Sequence, residues 1–163
     1  MKSLTVSWQE QGALFATKAD MSGLDYLRGL ISGDIVRPPV AQVMGLRPVE
    51  VEAGLVRFEM DVLEPFTNHL GFLAGGAVAT GLDSAMGCAV LSAIEPDLDI
   101  VTLDLSLDFL RPVGPSVPTL YIEGRVSYLG RNRGLATGTV ADADGRVLAT
   151  GKSNCLVRSK KGR

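Results

Sequence analysis

Residues 75–94 read GGAVATGLDSAMGCAVLSAI, and this stretch decides the architecture. Two glycines open it, Pro96 follows it, and Ala77, Ala79, Gly81, Ser84, Ala85, Gly87 and Ala89 keep its sides small. The spacing predicts a long helix reaching about Ile94. A helix that is apolar or small nearly all round has no face to offer water and must be enclosed by protein. Extended back to Leu70, the segment carries one charged residue, Asp83, close to its middle. A charge at mid-bilayer costs about 2.5–3.5 kcal/mol even on lenient insertion scales, so a core helix explains the stretch better than a membrane span.

Working outward, residues 46–52 and 55–62 read as strands joined by Ala53-Gly54, a short hairpin connection. In the second run Val56, Phe58, Met60 and Val62 alternate with Leu55, Arg57, Glu59 and Asp61. Residues 64–74 form a loop. Beyond the helix, Val101, Leu103, Leu105, Leu107 and Phe109 alternate with Thr102, Asp104, Ser106 and Asp108 in a period of two. Residues 111–118 hold three prolines and a glycine and make a turn. Residues 119–129, 133–142 and 147–157 complete an antiparallel series with tight connections at 130–132 and 143–145. Upstream, residues 24–31 read as a short amphipathic helix, Gly33 and Pro38-Pro39 break the chain, and residues 40–44 form one more helical turn. The order of elements predicts an α+β domain: a curved antiparallel sheet of about six strands wrapped around one long helix. Residues 1–39 are an extension with a short helix, residues 40–158 the domain itself, and residues 159–163 a basic tail.

Composition narrows the function classes. The chain has 163 residues, enough for one domain with a sizeable core, and a formal net charge of -2 from 18 acids and 16 bases. That balance gives no electrostatic case for a nucleic-acid-coating protein. Cys88 and Cys155 do not form a disulfide framework, and with a single histidine, His69, there is no metal-ligand spacing. No metal or cofactor is expected. Unpaired thiols and the lack of an apolar leader run in residues 1–18 fit a cytoplasmic protein without membrane attachment.

Asp83 is the foremost chemical candidate. A carboxylate inside an apolar helix is costly unless hydrogen-bonded or used, and burial disfavours its ionised form. The alternative is a structural Asp bonded to backbone or to Ser84. Gly75 and Gly76 supply a second element: first-turn N–H groups have no intrahelical partner and favour negative charge, such as that on the oxygen of an attacked carbonyl. Asn68 is a polar side chain in the preceding loop, suited either to an Asx-turn or to a ligand.

The run Asn68-His69-Leu70-Gly71-Phe72-Leu73-Ala74-Gly75-Gly76, followed by Leu82-Asp83-Ser84-Ala85-Met86-Gly87, resembles the signature of hotdog-fold thioesterases of the phenylacetate-degradation type. In that family an Asn and a Gly lead into His-Gly-Gly, and an Asp follows the His by nine residues. Here Ala74 holds the His position, Asp83 lies nine residues on and Asn68 six residues before. The strand order matches from about residue 40 to 157, and the strand ending at Phe109, with Arg111-Pro112, resembles the family's dimer-forming strand.

The resemblance implies an acyl-CoA thioesterase in which Asp83 activates water or attacks the thioester. The Gly75 N–H and Asn68 polarise its carbonyl, and Thr102 orients the water. It also implies that Asp83 meets Asn68 and Gly75 across a subunit boundary, in a homodimer or a dimer of dimers. Gly75 and Asp83 are separated by ~12 Å along a helix, which agrees with a two-chain site. Ala74 removes an imidazole that the family places at the helix start, which bears on rate or acyl preference. Gly76 and Ala74 are expected to line the substrate path. Arg131 and Arg133, with Lys152 and Arg158, are candidates by charge type for the phosphates of coenzyme A. Two other functions compete: a non-catalytic acyl-CoA-binding module, and a hotdog dehydratase or hydratase, which typically pairs its acid with the histidine that Ala74 replaces.

Overall fold

The computed structural model describes residues 2–8 and 21–160. Parts of the N-terminal extension and of the basic tail therefore lie outside the described residues. Within them the elements run α1 (Gly23–Ser32), α2 (Pro39–Val43), β1 (Leu46–Glu52), β2 (Leu55–Asp61), a single 3-10 turn (Glu64–Phe66), α3 (Gly75–Ser92), β3 (Leu98–Phe109), β4 (Thr119–Leu129), β5 (Arg133–Ala141) and β6 (Val147–Ser159). The six strands form one antiparallel sheet in the order β1-β2-β4-β5-β6-β3, with α3 packed along one face. This is the α+β architecture that the order of elements predicts, in the hotdog arrangement that the resemblance implies.

Glycine sets how closely helix and sheet approach. Gly124, Gly138 and Gly151 are register partners across β4, β5 and β6, a row of missing side chains beneath α3. A Cβ on Gly124 would stand 2.2 Å from the Ala85 carbonyl oxygen, and one on Gly138 would stand 2.8 Å from Leu82. Mid-strand glycine marks places where another backbone comes near, and here that backbone is the helix. Met60, Leu82, Met86, Val90, Leu120, Ile122 and Val140 fill the space on either side and are fully buried.

The ends of α3 are fixed by hydrogen bonds. At its C-terminus Ser92 is buried, and its Oγ accepts from the Gly54 N–H at 2.9 Å while lying 3.0 Å from the Glu52 carbonyl. The helix thus stops at Ser92, two residues short of Ile94, where this side chain ties it to the β1–β2 turn. At its start, the Leu73 N–H bonds to the Val113 carbonyl and the Ala74 N–H to the Phe66 carbonyl, each at 2.9 Å. The short helix α1 closes the structure from outside. Ser22 caps it by accepting from the Asp25 N–H, and Gly33 ends it at φ 86°. Tyr26 and Leu27 pack into the core, and a Cβ on Gly23 would overlap the Leu91 carbonyl.

Strand β3 departs from the expected alternation in a way that matters for the site. It begins at Leu98, because β6 continues to Ser159 and supplies partners for Leu98, Asp99 and Ile100. Thr102 pairs with Cys155 but Asp104 pairs with Asn154, so Leu103 is an extra residue in a β-bulge. A strict period of two places Thr102 on the face opposite Leu105 and Leu107. The bulge inserts one residue and turns Thr102 to the helix side together with them, since its partner Cys155 and Leu105's partner Ser153 are both buried. Leu103 itself is left 48% exposed.

Candidate active site

The half-turn supplied by the bulge brings Thr102 to Asp83. Thr102 Oγ1 donates to Asp83 Oδ1 at 2.9 Å. Asp83 sits on the flank of α3 that faces β3, and it is half-buried rather than enclosed. With Ala79, Thr80, Thr102, Leu103, Asp104 and Leu105 it lines a cleft of about 420 Å³. The carboxylate is thus held by a hydroxyl through one oxygen, and among the described residues neither the backbone nor Ser84 holds it, as the structural alternative would require.

Asn68 and Gly75 come together elsewhere. They line a second cleft of about 390 Å³ with Leu70, Phe72, Phe109 and Arg111. The Asn68 side chain makes the Asx-type turn, its Oδ1 accepting from the Leu70 N–H at 2.9 Å and the Phe72 N–H at 3.3 Å. Anchoring the oxygen this way leaves the Nδ2 amide as the donor end. Ala74 is the N-cap residue of α3 and supplies no side-chain cap. The Ala77 and Val78 N–H groups bond back to the Ala74 carbonyl, and the Gly75 and Gly76 N–H groups find no acceptor among the described residues. A first-turn N–H without a partner, at the positive end of the helix dipole, is a donor ready for an oxyanion. A Cβ on Gly75 would stand 3.2 Å from the Phe109 ring, so glycine leaves this N–H uncovered. Gly76 and Ala74 line a third, smaller cleft beside Phe66, Met44 and Thr80.

Among the expected site residues the structure therefore makes two pairs, Asp83 with Thr102 and Asn68 with Gly75, lining clefts that share no residue. Arg131 is exposed at the β4–β5 turn. Arg133 is exposed on the sheet surface away from α3, where its guanidinium donates to Asn154 Oδ1 at 3.3 Å; Asn154 Nδ2 in turn donates to Asp104 on the rim of the Asp83 cleft, also at 3.3 Å. Lys152 lies on the same outer surface, in a groove with Ser106, Thr137 and Thr139. His69 is exposed in its loop between Asn68 and Leu70 and lines neither cleft. Phe109 and Arg111 line the Asn68–Gly75 cleft; the resemblance marks them only as the end of a dimer-forming strand, not as site residues. Among the described residues there is no group of three or more His, Cys, Asp or Glu placed to hold a metal ion, and no helix is long and apolar enough to cross a membrane.

Residues 70–149, which contain most of this machinery, match the thioesterase superfamily. Over 112 residues the chain is 30% identical to a Saccharolobus solfataricus protein named "Putative esterase", covering 68% of this chain and 76% of that one. The chain belongs to the thioesterase superfamily. It is a thioester hydrolase. Its structure is similar to that of a phenylacetic-acid-degradation-related protein of Ralstonia eutropha (28% identity, TM-score 0.73, 80% of this chain and 98% of that one). It is also similar to a Streptococcus mutans protein solved with acetyl-CoA bound (28% identity, TM-score 0.65, 71% and 90% of the two chains).

Proposed function

We propose that this hydrolase cleaves acyl-CoA thioesters of aromatic or medium-chain acids to the free acid and coenzyme A, in sites built from two copies of the chain. The observation that carries the reading is the Thr102–Asp83 hydrogen bond at 2.9 Å, on a carboxylate that faces a cleft. With Oδ1 held by Thr102, Oδ2 is the oxygen turned to a reactant. It takes a proton from water as the water oxygen attacks the thioester carbonyl carbon. The negative charge that develops on the carbonyl oxygen falls to the Gly75 N–H and the Asn68 amide. Collapse of the intermediate breaks the C–S bond, and the proton held by Asp83 passes to the departing thiolate. An acid-base group and preorganised oxyanion donors are what this acyl transfer requires.

The edge of the sheet supports the two-chain arrangement. β3 is terminal in the sheet, and it is a long strand with Val101, Leu103 and Phe109 exposed. An exposed, hydrophobic edge of this length is a template for pairing. Both half-sites touch this strand, Asp83 at Thr102 and Gly75 at Phe109. Antiparallel pairing of β3 with a second copy's β3, centred on Ser106 and with Leu103 again counted as the extra residue, sets Thr102 of one protomer opposite the other's Phe109. Each Asp83 then meets the partner's Asn68 and Gly75, which solves the ~12 Å separation within one chain. The similarity to the acetyl-CoA-bound S. mutans protein supports the choice of thiol carrier. The similarity to the R. eutropha protein supports placement near the phenylacetate-degradation type. Arg133, linked through Asn154 to Asp104 on the rim of the Asp83 cleft, and Arg131 at the β4–β5 turn are the cations proposed for the coenzyme A phosphates.

The test is hydrolysis of a panel of aromatic and aliphatic acyl-CoAs, with the released thiol followed for the wild type and Asp83→Asn. Turnover by the wild type that falls at least about a hundredfold in Asp83→Asn is the expected result. A wild type that binds acyl-CoA and turns over none of the panel overturns the substrate class. An Asp83→Asn variant at wild-type rate overturns the mechanism.

A further inference from the structure

The third cleft, of about 280 Å³, adjoins the one that holds the proposed base: Thr80 lines both. Asp83 lies three residues further along α3 and Gly76 four residues back, so the flank from Asp83 to Gly76 extends over ~10 Å. On the helix side the walls are Ala74, Gly76, Ala77 and Thr80, all small. Met44 at the end of α2, with Pro65 and Phe66 of the 3-10 turn, supplies the bulk of the remaining wall. No lining side chain is ionisable, and both hydroxyl protons are already engaged. Thr80 Oγ1 donates to the Gly76 carbonyl at 3.0 Å, and Thr67 Oγ1 donates to the Glu64 carbonyl at 2.8 Å. The cleft shares no residue with the Asn68–Gly75 cleft, which the reaction reading gives to the carbonyl oxygen.

We infer that this third cleft is the acyl subsite, and that it selects an unbranched aliphatic chain of about eight carbons. The assignment rests on Asp83 as the base and on acyl-CoA as the substrate, and it narrows the acyl class. A thioester carbonyl attacked at Asp83 has to place its acyl chain, and the apolar space that adjoins the Asp83 cleft along α3 lies past Thr80. An extended carbon chain advances ~1.2 Å per bond, so about eight carbons cover the ~10 Å from Asp83 to Gly76. A phenylacetyl group is shorter and leaves the Gly76 end uncontacted. An acyl chain that ends in a carboxylate meets no cation, because no basic side chain lines the cleft. Gly76 is the residue that keeps the far end open. A Cβ there would meet nothing within 4 Å, so the packing of α3 does not require glycine, and a larger side chain grows into the cleft.

The experiment measures kcat/KM on straight-chain acyl-CoAs from acetyl to dodecanoyl, with phenylacetyl-CoA and glutaryl-CoA alongside. The proteins are the wild type, Gly76→Leu, Phe66→Ala and Asp83→Asn. For the wild type, kcat/KM is expected to rise about three- to fourfold per added methylene up to octanoyl, as burial of each methylene predicts, and to level off beyond it. Gly76→Leu fills the far end and should lower the octanoyl-to-butanoyl ratio at least about tenfold. Phe66→Ala removes a half-buried wall and should raise the dodecanoyl-to-octanoyl ratio at least about threefold. A general loss of folded enzyme lowers every substrate alike and cannot produce these opposite shifts. A wild type that prefers phenylacetyl-CoA or glutaryl-CoA to octanoyl-CoA, or that ignores chain length, overturns the inference. A length profile that either variant leaves unmoved overturns it too. Asp83→Asn separates the two levels. If it is inactive while the length profile stays fixed in the cleft variants, only the acyl subsite falls. If no acyl-CoA is turned over, or Asp83→Asn matches the wild type, the reaction reading falls and the subsite with it.

Discussion

Two inactive variants should restore each other if the site spans two chains. Asp83→Asn removes the base. Gly75→Pro removes one oxyanion donor and leaves the helix intact: residue 75 is the first helical position, Ala74 before it is already extended at φ -63° and ψ 141°, and proline is at home in that place. The added ring atoms meet the exposed edge of Phe109, a side chain with room to turn. Loss of one oxyanion donor costs a factor of about 10²–10³ in kcat, or roughly 2.7–4 kcal/mol. Each parent alone should therefore run at or below about one per cent. When the two chains assort at random, half of the dimers are mixed, and each mixed dimer contains one site with both lesions and one with neither. The expected activity is about a quarter of the wild type's, at least tenfold above either parent. The assay uses co-expression with a different tag on each chain, sequential purification on both tags to isolate the mixed dimer, and thiol release on the best acyl-CoA; after that purification the expected value rises to about half. Gly75→Ala, which keeps the N–H, controls for the steric change. A doubly purified mixed dimer no more active than the mean of its parents refutes the two-chain site.

Two further predictions concern the frame that holds the site. Gly124→Ala places a methyl 2.2 Å from the Ala85 carbonyl oxygen, backbone against backbone, so α3 must lift from the sheet. Denaturant unfolding should show a loss of about 3 kcal/mol or more, despite the usual gain from replacing glycine, and a variant within about 0.5 kcal/mol of the wild type contradicts the close packing. Ser92→Ala strips the partner from the Gly54 N–H and should cost about 1–2 kcal/mol at unchanged kcat, read as a lower urea midpoint with the same slope.

Much of the frame is legible in the sequence, because its elements announce themselves by period and punctuation. β1, β4 and the Ala53-Gly54 hairpin fall where alternation and turn residues put them, and the absence of a polar face on α3 already requires a sheet around it. What escapes is set by partners rather than by the segment itself. Gly124, Gly138 and Gly151 each look like a weak point in a strand; only the register that aligns them shows a seat for the helix. Ser92 ends α3 early through atoms of a turn distant in sequence.

The bulge at Leu103 is the instructive case, because two readings of one sequence disagree there. The alternation from Leu103 to Phe109 continues back through Val101 without a break, and on that reading Thr102 belongs with the outward aspartates. The resemblance to thioesterases asks for Thr102 beside Asp83. Both hold on their own side of one inserted residue: the alternation runs true over Leu105, Leu107 and Phe109, and the helix-facing set before the bulge is Ile100 and Thr102. The trace in the sequence is the adjacent pair Ile100-Val101, two apolar residues in succession where a strict period allows one. A bulge costs ladder hydrogen bonds on an edge strand, where they are cheapest to lose, and re-aims a hydroxyl by one face. The Asp83–Thr102 pair thus exists because the periodicity of β3 fails at a single position, and the proposed base owes its hydrogen-bond partner to that irregularity.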